Sequence, residues 1–219
     1  MLETVFLLGR PGSGKSTTAG LIQMVAGDHG WLCHSINDYE LLKMMCLREE
    51  EENIDLDKRD FIQRELDGCM GFDVKNFKVL DKVLREMRKE VEDIRNKYPQ
   101  NKKTIYTVEF ARANYQEALD LFGDELLTEA KLLYLNVDIS VCIERNHKRT
   151  DHFISDEIMK TYYLYDDWAR KMYNLQDIHD KSEIRNMGTL DNLKFKVDEW
   201  FESHLEHKVP VHVASIKMG

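Results

Sequence analysis

The sequence lacks the features that mark secreted, membrane-spanning and metal-binding proteins. Its four cysteines, Cys33, Cys46, Cys69 and Cys142, have no paired spacing, which indicates reduced thiols rather than a disulfide framework or a zinc site. The eight histidines form no H-E-x-x-H pattern, which argues against a transition-metal site. No apolar run approaches the roughly 20 residues that cross a bilayer. We therefore expect no membrane partner.

Excess positive charge and internal repetition are also missing. The 31 Lys and Arg residues against 40 Asp and Glu residues leave a net charge of −9 at pH 7. This balance argues against broad nucleic-acid binding, but it leaves room for a nucleotide in a local basic pocket. No repeat, low-complexity tract or linker divides the chain, so we expect residues 1–219 to form a single domain. With no basic leader before the first strand, we expect a cytoplasmic protein.

One glycine-rich motif near the start carries the strongest signal. Residues 9–16, GRPGSGKS, fit the pattern G-x-x-x-x-G-K-[ST], the phosphate-binding loop of proteins that hydrolyse nucleotides or transfer phosphate. Its glycines let the backbone wrap an anion closely, and the next helix adds the positive end of its dipole. We expect Lys15 to reach the β- and γ-phosphates of ATP and Ser16 to bind Mg²⁺. The residues predicted to bind the nucleotide are Gly9, Pro11, Gly12, Ser13, Gly14, Lys15, Ser16 and Thr17.

Apolar and β-branched runs alternate with helical patterns along the chain. Residues 4–8 read as a strand and 16–25 as a helix, so both flanks of the loop fit the motif. The other predicted strands are 31–36, 104–110, 132–137 and 184–187, and the other helices include 116–122, 140–149, 155–172 and 190–205. This alternation predicts a three-layer α/β fold, with a parallel five-stranded sheet flanked by helices.

The segment between the second and third of these strands is much longer than an ordinary crossover. Residues 39–103 predict a helical insertion, whose clearest element is a helix over 73–98 that ends before Pro99. Its apolar stripe, which we expect to pack in the core, is Phe77, Leu80, Leu84, Met87, Val91 and Ile94.

Charged residues follow the predicted strands. Ligands of open α/β sheets lie beyond the carboxyl ends of the strands, so we expect Asp38, at the end of the second strand, to face a bound substrate. Asp38 is alternatively the N-cap of a helix over 39–47, or serves both purposes. Arg145 and Arg149 close the helix over 140–149, either as favourable charges at a helix C-terminus or as a cation cluster for phosphate.

Beyond the loop, four stretches in the same order resemble the adenylate kinase-like (nucleoside monophosphate kinase) family of P-loop kinases. They are residues 30–38, the F-x-R-x-x-x-Q pattern of Phe110, Arg112 and Gln116, residues 143–149, and residues 186–190. The resemblance implies that Arg112 grips the acceptor phosphate and that Gln116 meets the acceptor base. It also implies that Arg145 and Arg149 hold the transferring phosphoryl group in a short lid over 145–160. The loop around Gly188 is expected to cup the adenine of ATP.

The chain departs from that family in places. Val108-Glu109 stands where the family has Asp-Gly, so Glu109 either replaces the missing carboxylate beside Mg²⁺ or only ends a strand. After Arg149 the lid is short, and Lys160 or Arg170 would have to replace a family arginine. The acceptor region is also long and acidic.

These residues support three hypotheses. The main one is a kinase that transfers the γ-phosphate of ATP to a nucleoside monophosphate, bound by Asp38, Arg112 and Gln116, with Lys15, Arg112, Arg145 and Arg149 in catalysis and Ser16 and Glu109 at Mg²⁺. The alternative is a kinase that acts on the hydroxyl group of a small molecule, with Asp38 as general base. The third is a P-loop ATPase or nucleotide-binding switch.

Overall fold

The computed structural model describes residues 2–66, 68–97, 102–149, 152–166, 168 and 180–206. In chain order its elements are β1 (Leu2–Leu8), α1 (Lys15–Asp28), β2 (Leu32–Asn37), α2 (Asp38–Glu51), β3 (Phe61–Leu66), β4 (Cys69–Val74), α3 (Lys78–Lys97), β5 (Thr104–Phe110), α4 (Tyr115–Asp120), α5 (Asp124–Thr128), β6 (Lys131–Asn136), α6 (Ile139–His147), α7 (Asp156–Thr161), β7 (Asp180–Arg185) and α8 (Leu190–Phe201). A short π-helix, Glu202–Glu206, continues α8. Among the described residues, no helix is both long enough and apolar enough to cross a membrane.

A parallel sheet forms the centre of the fold. Its five strands lie in the order β2-β5-β1-β6-β7, and each neighbouring pair is parallel. In this register Asn37 of β2 and Leu7 of β1 both lie beside Glu109 of β5. The ends of the three strands therefore meet at one edge, with the glycine-rich loop, Asp38 and Ala111 following them.

Alternating side chains of β1 build the two halves of the core. Phe6 and Leu8 face a cluster that includes Leu84 of α3, whereas Val5 and Leu7 face a cluster that includes residues of α1 and α8. A strand sends successive side chains to opposite faces, so this buried strand needs a helical layer on each side. The predicted three-layer α/β fold with a parallel five-stranded sheet is confirmed.

The prediction of an entirely helical segment over 39–103 is wrong in its middle. Strands β3 and β4 form an antiparallel hairpin in which Phe61 pairs with Val74. Helix α3 begins at Lys78 rather than at residue 73. Within the hairpin, Asp73 accepts a hydrogen bond from Arg64 Nε at 2.9 Å. A contact distant in sequence adds to it, since Asp73 also accepts from Ser155 N at 3.0 Å. Contacts of that kind leave no periodic signal in a sequence.

The apolar stripe of α3 is confirmed as core packing over most of its length. Leu80, Leu84, Met87 and Val91 are buried. Phe77 precedes the helix and is 40% exposed. Phe77 is therefore not part of the buried core.

Boundaries near the end of the chain also differ from the prediction. Ser155 caps α7 as expected, its side chain accepting from Ile158 N, but the helix ends at Thr161 rather than at 172. Strand β7 starts four residues earlier than the predicted 184–187. Arg170 and the tail over 207–219 lie outside the described residues.

Candidate functional site

The backbone of the glycine-rich loop leaves no room for side chains at two positions. Gly12 and Gly14 have φ angles of 80° and 98°, which favour glycine. A Cβ atom at Gly12 would lie 2.4 Å from the carbonyl oxygen of Cys142, and one at Gly14 would lie 2.6 Å from Asn186 Nδ2. The loop is therefore packed against both α6 and the segment that follows β7.

Lys15 lies folded along this loop. Its Nζ donates to the carbonyl oxygens of Gly9 at 2.9 Å and Arg10 at 3.2 Å. Burial lowers the pKa of Lys15, and the nearby carboxylates of Asp38 and Glu109 oppose that shift. An anion held by the loop would replace these carbonyl contacts with a stronger, charge-assisted interaction.

Ser16 and Glu109 are paired across 93 residues of sequence. Ser16 Oγ donates to Glu109 Oε2 at 2.9 Å. Burial raises the pKa of Glu109, while Lys15 and the Ser16 hydroxyl lower it. A hydroxyl and a carboxylate are oxygen ligands of the kind that Mg²⁺ takes together with phosphate oxygens and water. The pair thus fits a magnesium site shared with a bound nucleotide, although no group of three or more His, Cys, Asp or Glu residues forms a metal site within the described part of the chain.

Asp38 is not the N-cap of α2. Asn37 has that position, with extended backbone and a side chain that accepts from Glu40 N at 2.9 Å. The Oδ2 atom of Asp38 instead accepts from Ala111 N at 3.2 Å and from Arg112 Nη1 at 3.1 Å. Among the described residues, the other oxygen, Oδ1, has no hydrogen-bond partner. The carboxylate is therefore oriented through one oxygen and open at the other.

A cavity of about 290 Å³ joins these groups. Six of the predicted site residues line it, namely Pro11, Lys15, Ser16, Asp38, Glu109 and Arg149. Arg149 is close enough to influence the pKa values of both Lys15 and Glu109. The cavity therefore brings together two basic and two acidic side chains among the predicted site residues at the carboxyl edge of the sheet.

The two residues that were predicted to bind the acceptor together with Asp38 do not line this cavity. Arg112 is 4% exposed, and its Nη2 donates to Leu80 O at 2.7 Å while Nη1 also donates to Ala111 O at 2.7 Å. Gln116 lies on α4, with Nε2 donating to Asp120 Oδ1 at 2.7 Å. Arg112 thus lies behind Asp38 in the protein interior and orients it.

Arg145 and Gly188 belong to a neighbouring part of the structure. Arg145 Nη2 donates to Asn186 O at 3.1 Å, and Asn186 Nδ2 donates to Ser13 O at 2.8 Å. Arg145 therefore contacts the segment that contains Gly188. Thr17 is exposed in the first turn of α1, and Lys160 pairs with Asp156 at 2.6 Å outside the cavity.

One wall of the cavity is formed by aromatic side chains, which were not predicted from the sequence. Tyr39 stacks on Phe72 of the hairpin, with ring centroids 5.6 Å apart and an interplanar angle of 8°. On the chain beyond α6, His152 stacks on Tyr39 at 3.9 Å, and its Nε2 lies 2.7 Å from Arg149 Nη1. Because the hairpin itself was predicted as helix, no sequence pattern would have placed Phe72 here.

The loop also has a buried hydrogen-bond partner on α4 that sequence reasoning missed. Tyr115 is fully buried, and its hydroxyl oxygen accepts from Gly9 N at 3.0 Å. Tyr115 is the first residue of α4, and its place shortly after β5 was the one signal that the sequence offered.

The likeness of this chain to known proteins is structural. No protein-family model matches the sequence, and a search of curated proteins finds no match. A sugar kinase from a Janibacter species is 15% identical, with a TM-score of 0.54 over 92% of this chain and 95% of that one. A gluconokinase from Sinorhizobium meliloti is 16% identical, with a TM-score of 0.51 over 92% and 98%.

A shikimate kinase from Acinetobacter baumannii, solved with shikimate, is also similar. It is 11% identical, with a TM-score of 0.50 over 95% of this chain and 96% of that one. At these identities the likeness shows that the chain shares a three-layer α/β fold with P-loop kinases over nearly its whole length.

Proposed function

We propose that this protein is a P-loop kinase that transfers the γ-phosphoryl group of ATP to a hydroxyl group of a small molecule, with Asp38 as the general base. The observation that carries the proposal is the position of the Asp38 carboxylate, which lines the same cavity as Lys15 and Ser16. A base beside the phosphate-binding residues is what transfer to a neutral hydroxyl requires, whereas a phosphate acceptor is already anionic.

The hydrogen bonds of Asp38 fit this role. Ala111 N and Arg112 Nη1 hold Oδ2, so Oδ1 is the oxygen that accepts the proton of the acceptor hydroxyl. Positioned general bases contribute roughly 10²- to 10⁴-fold to rate. Arg112 is a positioning residue in this scheme, because it contacts the base rather than the cavity.

The phosphate end of the cavity has the groups that phosphoryl transfer needs. Lys15 and the loop amides hold the phosphates of ATP, and Ser16 with Glu109 holds Mg²⁺, which neutralises phosphate charge when bound. Arg149 lines the cavity and is the arginine that neutralises charge on the transferring group. Arg145 contacts the segment around Asn186 and Gly188, which we propose lies beside the adenine.

The hydroxyl acceptor is favoured over a nucleoside monophosphate by two observations. Arg112 and Gln116, which the family resemblance gave to the acceptor, make their hydrogen bonds within the protein and do not line the cavity. The similar structures are also named for a sugar, shikimate and gluconate, all of which carry hydroxyl groups.

The test measures ADP release with Mg-ATP alone and then with hydroxyl compounds or nucleoside monophosphates added. A hydroxyl kinase releases ADP faster when its acceptor is present, and mass spectrometry detects the phosphorylated product. Asp38→Asn should lower that acceptor-dependent turnover by roughly 10²-fold or more, with Mg-ATP affinity retained in calorimetry.

Asp93→Asn is the matched control, because Asp93 lies on the exposed face of α3 with only a distant ion pair to Lys97 at 3.8 Å. Turnover of Asp38→Asn equal to that of the control would contradict the assignment of the base. Hydrolysis that no acceptor stimulates would favour an ATPase or switch, and stimulation by monophosphates alone would favour the nucleotide kinase.

A further inference from the structure

Two carboxylates at the acceptor end of the cavity, those of Asp38 and Asp73, are paired with arginines of the protein itself. Asp38 pairs with Arg112 at 3.1 Å. Asp73, which is 3% exposed, pairs with Arg64 at 2.9 Å and accepts a second hydrogen bond from Ser155 N. Breaking a buried pair leaves an uncompensated charge. Neither guanidinium is therefore available to bind an anionic group of an acceptor.

The other basic side chains of the cavity lie at its phosphate end. Among the described lining residues, these are Lys15 and Arg149, with the His152 ring in contact with the arginine. Lys15 lies on the glycine-rich loop, and its pKa responds to Arg149, so the two cations are neighbours. The function proposed above uses both for ATP. An anionic acceptor would have to give up its water without gaining a countercharge, which is strongly unfavourable. Glu40 also lines the cavity, and its negative charge is a further obstacle to an anionic acceptor.

Much of the remaining lining is apolar. Leu42, Phe72, Val74, Phe77, Leu80 and Ile158 belong to it. Phe77 is 40% exposed even though one face stacks on Tyr162, with ring centroids 4.4 Å apart and an interplanar angle of 10°. A large apolar side chain that lines a cavity and remains this open offers surface to an apolar ligand.

We propose that the acceptor is an uncharged hydroxyl compound with an apolar or aromatic body, rather than a carboxylated or phosphorylated one. The inference rests on the proposed function and narrows its substrate class. Asp38 takes the hydroxyl proton, and the apolar lining of the cavity, which includes Phe72 and Phe77, holds the body of the molecule.

The experiment compares acceptors in matched pairs that differ in charge. The pairs are nucleosides against their monophosphates, hydroxy acids such as shikimate against their methyl esters, and aromatic alcohols against their carboxylated analogues. With Mg-ATP saturating, kcat/KM for the uncharged member should exceed that of the anionic member by roughly tenfold or more. An anionic member that is phosphorylated as well or better would overturn the inference while leaving the proposed kinase intact. Absence of transfer to every member would overturn both.

Substitutions at Phe77 give a second test, in which KM values are compared rather than absolute rates. Phe77→Ala should raise KM for the acceptor by roughly tenfold and leave KM for ATP unchanged. Phe77→Arg adds a cation to the apolar lining of the cavity and should reduce the preference for the uncharged member of each pair. The same two substitutions at Phe195, which is 60% exposed on α8, are the controls. Equal effects at the two positions, or no effect at Phe77, would contradict the proposal.

Discussion

Asn186 Nδ2 donates a hydrogen bond to the backbone carbonyl of Ser13 at 2.8 Å, which joins two segments 173 residues apart. The backbone carbonyl of Asn186 accepts from Arg145, and its backbone N donates to Asn136 O at 3.0 Å. Asn186 therefore fixes the glycine-rich loop relative to the segment proposed to contact adenine. The bond positions two parts of the proposed nucleotide site.

Removing that bond should weaken ATP binding as well as the fold. Asn186→Ala leaves the buried Ser13 carbonyl without its partner, which costs about 1–3 kcal/mol of stability. We expect a lower melting temperature and a higher KM for ATP, with a smaller change in kcat. Asn96→Ala, at an exposed position of α3, should change neither. A variant that melts earlier but keeps its KM for ATP would restrict Asn186 to a structural role.

Glu109 should control the response to magnesium. Glu109→Gln keeps the shape of the side chain and an acceptor for Ser16 Oγ, but it removes the charge near Mg²⁺. Loss of a group that supports a metal ligand typically costs about 10- to 100-fold in metal affinity, so the Mg²⁺ concentration for half-maximal ADP release should rise by that factor. Glu117→Gln, on the exposed face of α4, is the comparison. Identical magnesium titrations for the two variants would remove Glu109 from the metal site.

Gly12 and Gly20 offer a matched pair of glycine substitutions. Gly12→Ala should abolish ATP binding, because its Cβ would collide with the Cys142 carbonyl and its φ angle is positive. Gly20 lies inside α1 with nothing within 4 Å of an added Cβ, so Gly20→Ala should stabilise the protein by about 0.5–1 kcal/mol. Urea unfolding and calorimetry with Mg-ATP measure both effects. Normal ATP binding by the Gly12→Ala variant would show that the loop has another conformation.

Three thiols that are buried or partly buried should be poor nucleophiles at neutral pH. Burial raises the pKa values of Cys33, Cys46 and Cys142 to about 11. Near pH 8 the thiolate fraction is then about 10⁻³, and alkylation should accelerate about tenfold per pH unit as the pH rises toward 11. Iodoacetamide labelling followed by peptide mass spectrometry checks this, with a small thiol peptide as reference. Rapid labelling of Cys142 at about pH 8, within the folded protein, would contradict it.

Much of the site was predictable because it depends on local sequence. The glycine-rich loop, its strand and its helix follow from spacing and periodicity alone. Asp38 was predicted near a ligand because it follows a parallel strand, and parallel strands bring their ends to one edge. Glu109 was predicted there because it stands near the position of a carboxylate in the family that the chain resembles. Asp38 and Glu109 do line the same cavity as Lys15.

The predicted contacts of the arginines were less accurate. The family resemblance put Arg112 on the acceptor phosphate and Arg145 and Arg149 on the transferring phosphoryl group, but of these three only Arg149 lines the cavity. Arg112 is buried against Asp38 and Leu80 O, and Arg145 contacts Asn186 O. The contacts of a long, flexible side chain depend on which groups pack near it, and those groups belong to other elements of the fold.

The sequence by itself determined the glycine-rich loop, the alternation of strands and helices, and the polar residues at the edge of the sheet, since each depends on neighbours within a few positions. Only the tertiary structure decided the acceptor end of the cavity. The contact of Asp73 in the β3–β4 hairpin with Ser155 and the pairing of Asp38 with Arg112 join residues 82 and 74 positions apart. Such contacts become favourable only when distant segments pack together, so they have no local pattern to read.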